Sequence, residues 1–165
     1  MGQGNTGGMS ASPRVAGPAD AHEIVRLRRL MFEAMGVDLS DDRWEAAALA
    51  AIPAQMEAGG LVAIVVDAPD DSGFLAASGV VQFESRLPSP GLSGAVKGYV
   101  SSISTDAKWR RNGFAGLVLD RLLHECRDRG ATVVELHATD AGRSLYERVG
   151  FRLRTGGPEM RWTAP

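Results

Sequence analysis

Cysteine is nearly missing from this chain: Cys126 is the only one, so no intramolecular disulfide can form and a disulfide-stapled secreted fold is disfavoured. Lysine is almost as scarce. Lys97 and Lys108 are the only two, and arginine carries the rest of the positive charge. With a net charge of −2 and no run of basic residues, nothing marks a nucleic-acid surface. No stretch approaches the roughly 20 apolar residues that a membrane helix needs. The N-terminus also lacks the basic start and apolar run of a signal peptide. These absences point to a cytoplasmic protein with neither a nucleic-acid nor a membrane partner.

What is present is ordinary for a globular chain. Hydrophobic residues make up 44% and charged residues 23% of 165 positions, which suffices to bury a core without metals or disulfides. Residues 1–12 are glycine-rich and polar and read as a disordered leader or cloning remnant, with Met9 as a candidate natural start. Residues 13–165 are expected to form one domain.

A short strand is expected near Arg14 to Ala16. Asp20 and Glu23 have capping-box spacing, and Ile24, Leu27, Met31, Ala34 and Met35 follow at helical intervals up to Gly36. A second helix is expected after Ser40, with Asp42 and Glu45 as another capping box. Trp44, Ala47, Ala48, Ala51 and Ile52 would form its buried face, and Pro53 should kink or restart it. Leu61 to Asp67 is an apolar run suited to a strand buried on both faces. Phe74 to Glu84 and Val96 to Thr105 read as further strands. Ala115, Val118, Leu119, Leu122, Leu123 and Cys126 share one face of a third helix that Gly130 ends. Thr132 to Ala138 reads as a strand, Ala141 to Val149 as a short helix, and Phe151 onward as a strand or hairpin. This order indicates an α/β protein (an α+β mixed sheet) covered by about four helices.

The segment Arg110-Arg111-Asn112-Gly113-Phe114-Ala115 sits between an expected strand end and a strongly amphipathic helix. A glycine-containing loop that opens a helix is a natural anion site, because unpaired N–H groups and the helix dipole point the same way. Gly113 and Ala115 let a phosphate approach the backbone, and Arg110 and Arg111 add charge. A helix start with incidental surface arginines is the bland alternative. The spacing of this segment matches neither a Rossmann fingerprint nor a P-loop.

Here the sequence resembles the GNAT superfamily, whose coenzyme A signature [Q/R]-x-x-G-x-[G/A] is filled by Arg110, Gly113 and Ala115. A second family segment, Leu145-Tyr146-Glu147-x-x-Gly150-Phe151, follows downstream in the family's order. The resemblance runs from about Arg14 to Trp162. It implies a GNAT-type fold with a mostly antiparallel, splayed central sheet. It also implies that acetyl-CoA is the cosubstrate, with no metal. The N–H groups of Arg111, Asn112, Gly113, Phe114 and Ala115 would grip the pyrophosphate, and the edge of Ile103, Ser104 and Thr105 would hold the pantetheine arm. Tyr146 takes the place of the acid that protonates the leaving thiolate. The implied reaction moves an acetyl group to a primary amine of an unidentified small molecule or peptide, by direct attack in a ternary complex.

The chain departs from the pattern at Ser101 and Ser102, where many relatives carry a carboxylate base. Glu84 and His137 are candidate replacements, although a solvated glutamate and a structural histidine are the simpler readings. Thr139 and Asp140 stand where many relatives have asparagine. Asp38, Asp41 and Asp42 could attract a cationic amine but are also good helix caps. Trp44, Trp162 and Cys126 read as core. The missing carboxylate keeps a second class open, a non-catalytic sensor module that binds an acyl-CoA. A homodimer is consistent with the resemblance.

Overall fold

The computed structural model describes residues 11–90, 93–154 and 162–163. In chain order the elements are β1 (Arg14–Val15), a 3-10 turn (Pro18–Asp20), α1 (Ala21–Ala34), α2 (Arg43–Glu57), β2 (Leu61–Asp67), β3 (Leu75–Ser85) and β4 (Val96–Thr105). A 3-10 turn (Ala107–Trp109), α3 (Phe114–Asp128), β5 (Val133–Glu135) and α4 (Arg143–Arg148) follow. The five strands form one sheet in the order β1-β2-β3-β4-β5. The first three pairings are antiparallel, and only β4–β5 is parallel.

Both faces of the sheet are buried, as the apolar run of β2 demands. Val62, Ile64 and Val66 face a cluster with Phe114, Val118, Leu119, Leu122 and Cys126 of α3. Ala63 and Val65 face the opposite cluster with Ile24, Val25, Leu27 and Ile52 of α1 and α2. Alternation along an extended strand delivers successive side chains to the two layers. Cys126 is buried in the α3 layer, as its place on the helical stripe indicates.

Several local expectations need correction. The Asp20/Glu23 box is not made: Asp20 instead accepts the Gly17 N–H at 2.8 Å and pairs with Arg14, while Glu23 holds Arg26 and the Leu75 N–H. The Asp42/Glu45 box is also open, because Glu45 pairs with Arg29. Met35 is exposed at the end of α1, where Gly36 turns the chain at φ 71. Ala34 and Ala47 are exposed as well. α2 continues through Pro53 as one helix. β5 has three residues instead of seven, and Phe151–Arg154 carry no regular structure. Most of the expected C-terminal hairpin, and most of the leader, lie outside the described residues. Trp162 is 81% exposed and is not core.

Candidate active site

The site is built where β4 runs out. Arg26 of α1 donates to Asp106 at 2.7 Å, and Asp106 in turn accepts the Lys108 N–H at 3.1 Å, so the chain leaving Thr105 is anchored to the helix layer. The Asn112 amide then donates to the carbonyls of Trp109 (3.0 Å) and Arg110 (3.1 Å), closing the loop on itself. Arg111 (φ 66) and Gly113 (φ 80) adopt left-handed backbone, which turns successive N–H groups toward one side. Among the described residues, the N–H groups from Arg111 to Ala115 meet no backbone acceptor outside α3, and they stand at that helix's N-terminus. A β-carbon at Gly113 would meet nothing within 4 Å, so the approach to these donors is open. Arg110 and Arg111 flank it, both exposed. Geometry and donor set therefore fit a pyrophosphate.

β4 also opens beside this loop. It pairs with β5 only from Lys97 to Tyr99, and the two strands part beyond that point. On its other side β4 carries a bulge, because Ser78 pairs with Ser104 whereas Val80 pairs with Ser101. The extra residue is Ser102, at φ 55. The bulge shifts the alternation of faces. Val100 points to the α3 layer before it and Ile103 points there after it, while the Ser104 hydroxyl donates to the Leu27 carbonyl of α1 at 2.9 Å. The bend was not read from the residue types. Gly79, which stands opposite it, was the available signal. A β-carbon there would lie 2.7 Å from Val118 and 3.0 Å from Ile103, and glycine inside a strand marks such close approach.

Tyr146 comes to the same region on α4. It is partly buried against the cluster that contains Phe114, with its ring edge-on to Phe151 at 6.0 Å. Leu145 lies 3.9 Å from where a β-carbon of Gly116 would be, which docks α4 against the first turn of α3. A cavity of about 820 Å³ lined by Tyr99, Leu136, His137, Ala138 and Tyr146 joins the parting strands to the tyrosine. Burial pushes the Tyr146 phenol up from its ordinary pKa, so it stays protonated and able to donate.

The other candidates are scattered. Glu84 pairs with Lys97 at 3.8 Å and stands seven residues along β3 from Ala77, the partner of Thr105. That is roughly 23 Å at the usual strand rise, so the fold does not bring Glu84 to this end. His137 meets the Tyr99 hydroxyl at 2.5 Å on the cavity wall. Thr139 caps the turn into α4 by accepting the Gly142 N–H at 3.2 Å. Asp38 accepts the Ser40 N–H and Asp41 pairs with Arg43, so both serve their own turn.

Residues 91–161 match the family model described as "Acetyltransferase (GNAT) domain". Among solved structures, a predicted acetyltransferase from Clostridium acetobutylicum, solved with acetyl-CoA, superposes with a TM-score of 0.81 at 23% identity. The match covers 91% of this chain and 95% of that one. A GCN5-related N-acetyltransferase from Ralstonia eutropha JMP134 gives 0.79 at 22% identity, over 92% and 99% of the two chains. Glucosamine-6-phosphate N-acetyltransferase from Arabidopsis thaliana gives 0.70 at 17% identity, over 93% and 99%. No curated protein matches the sequence. Residues 91–161 thus resemble a GNAT acetyltransferase domain, and the chain as a whole shares the fold of these solved structures.

Proposed function

We propose that the protein moves the acetyl group of acetyl-CoA to a primary amine, by direct attack in a ternary complex, within one acetyltransferase domain formed by residues 13–165. The observation that carries this reading is made among the described residues: the N–H donors from Arg111 to Ala115 are open there, next to a β4 edge left free beyond Tyr99. When bound, acetyl-CoA supplies an acyl thioester. The loop donors and Arg110 hold its pyrophosphate, and the Ile103–Thr105 edge pairs with the amide-bearing arm as an added strand would. Backbone N–H groups of that edge offset the negative charge building on the acyl oxygen. Tyr146 holds a proton on Oη and gives it to the sulfur as the C–S bond breaks and the C–N bond forms. Ser101 and Ser102 offer no carboxylate and Glu84 lies far from the Thr105 end, so the acceptor loses its proton to water or to His137 on the cavity wall. Among the described residues no helix is long and apolar enough to cross a membrane.

The test is calorimetric titration with acetyl-CoA, coenzyme A and a longer acyl-CoA, repeated on Gly113→Val. Saturable binding that weakens sharply in a folded variant supports the loop, and a panel of amines then reports transfer. A well-folded native protein that binds none of the three overturns the cosubstrate assignment. Binding without turnover on any amine favours the sensor reading, to which the serines at 101 and 102 lend weight.

A further inference from the structure

Three arginines lie within four residues of one another on α1, and they are treated differently. Arg26 is held by Glu23 and Asp106, and Arg29 by Glu33 and Glu45. Arg28, between them, has no carboxylate partner among the described residues. Its Nη1 donates to the hydroxyl of Ser102, the bulged residue of β4, and its Nε is buried without an acceptor. A buried donor left unmet is destabilising, and a charged one more so. Burial accordingly pulls the guanidinium below the usual arginine pKa. Its carbon lies 5.5 Å from the Phe32 ring centroid, and Phe32 meets Trp44 edge-on at 5.3 Å. The Trp44 indole N–H is likewise buried without an acceptor. The carboxylates of this corner, Glu33 and Glu45, are taken by Arg29, so among the described residues Arg28 keeps its charge without an anion.

Its position ties that chemistry to the transfer reaction. Ser102 immediately precedes Ile103, and Arg28 stands on the face of β4 opposite the α3 layer that carries the phosphate loop. Anything that Arg28 holds is therefore close to the acyl end of the Ile103–Thr105 edge and away from the pyrophosphate. We infer that Arg28, backed by Ser102, receives a carboxylate on the acceptor, so that the acceptor is a small amino acid-like molecule whose amine and carboxylate are a few bonds apart. The inference rests on the acyl-transfer reading for the location of the amine. A planar guanidinium suits two-point binding of a carboxylate, which gives orientation as well as affinity.

The experiment uses matched pairs, the proteinogenic amino acids and their carboxamides, with the full chain. Acetyl-CoA affinity is measured first and reads the cosubstrate assignment by itself. Each pair is then assayed for thiol release and for binding to the coenzyme A-loaded protein. The expected result is at least one free acid bound or acetylated with KM or Kd about tenfold or more below that of its amide. Arg28→Met removes that difference while acetyl-CoA affinity is unchanged, and Arg28→Lys, which keeps the charge without the fork, restores part of it. Should Arg28→Met fail to fold, the acid–amide comparison on the native protein and Arg28→Lys still decide. Carboxylate binding without turnover supports the subsite while removing the transfer reading. The inference is overturned if every free acid fails to bind or react, if amides are used as well as acids, or if Arg28→Met leaves the acid–amide ratio where it was.

Discussion

A β-carbon on Gly142 would stand 3.0 Å from Cε2 of Tyr146 and 3.3 Å from the Thr139 hydroxyl. The bare backbone at the head of α4 thus sets where the phenol ring rests. Gly142→Ala should push the ring aside without touching the loop from Arg111 to Ala115. Small displacements of a reacting group cost on the order of 100-fold in rate. The expected outcome is a lower kcat with an unchanged Kd for acetyl-CoA, measured by steady-state kinetics and calorimetry.

Tyr146→Phe should lower kcat by about 100-fold or more, the usual scale for a lost general acid. Its thermal midpoint should barely move, because the hydroxyl makes no hydrogen bond among the described residues and the ring packing is kept. The pH profile carries a sign. The acid works when protonated, and burial raises the phenol above its ordinary value of about 10. Native activity should therefore persist to higher pH than a solvated tyrosine allows, and the alkaline fall assigned to this group should be missing from the phenylalanine variant.

Arg14 fastens the first strand by bonding Asp20 and Asp67 at 2.9 and 2.7 Å. The arginine holds both carboxyls below the ordinary carboxylate range. A folded-state pKa depressed in this way adds stability above the unfolded value of about 3.9, and that stability is lost as pH falls through the folded values. Arg14 and Asp67 are 43% and 60% exposed, so solvent screening limits the effect to about 1 kcal/mol. Arg14→Met should show that deficit in urea melts at pH 7, with the gap to the native protein closing as pH drops below 4.

Cys126 is buried, and burial raises its thiol to about 11. The native protein should not react with a thiol reagent at pH 7–8, whereas the unfolded chain should react at once. The labelling rate across a urea series would then report opening of the α3 layer.

The parts legible in the sequence were those set by short-range pattern. β2 and β4 have the bounds that their composition indicated, and the stripe from Ala115 to Cys126 is the face that α3 presents to the sheet. The segment from Arg110 to Ala115 could be placed on a loop because Gly113 and Asn112 leave few alternatives for a strand-to-helix turn. Features set by distant partners were not legible. Glu23 and Glu45 have the spacing of capping residues, yet Glu23 accepts the Leu75 N–H of β3 and Glu45 pairs with Arg29 of the preceding helix. Nothing in the strand signal at Glu84 tells that the sheet register sends it to the end away from Thr105, and nothing in two adjacent serines announces a bulge. Arg28 looks like any surface arginine until α1 is laid against β4.

That bulge gives β4 something like a reading frame. Deleting Ser102 would iron out the bend, yet Ile103 would still point to α3 and Ser104 to α1, because one surplus position had been removed from a two-residue period. Replacing Ser102 with a β-branched residue that resists φ 55 is the harsher change. It favours a straight strand with every residue kept, and a straight strand exchanges the faces of all that follows, sending Ile103 toward α1 and Ser104 into the apolar layer. At this position the chain should tolerate a loss better than a substitution.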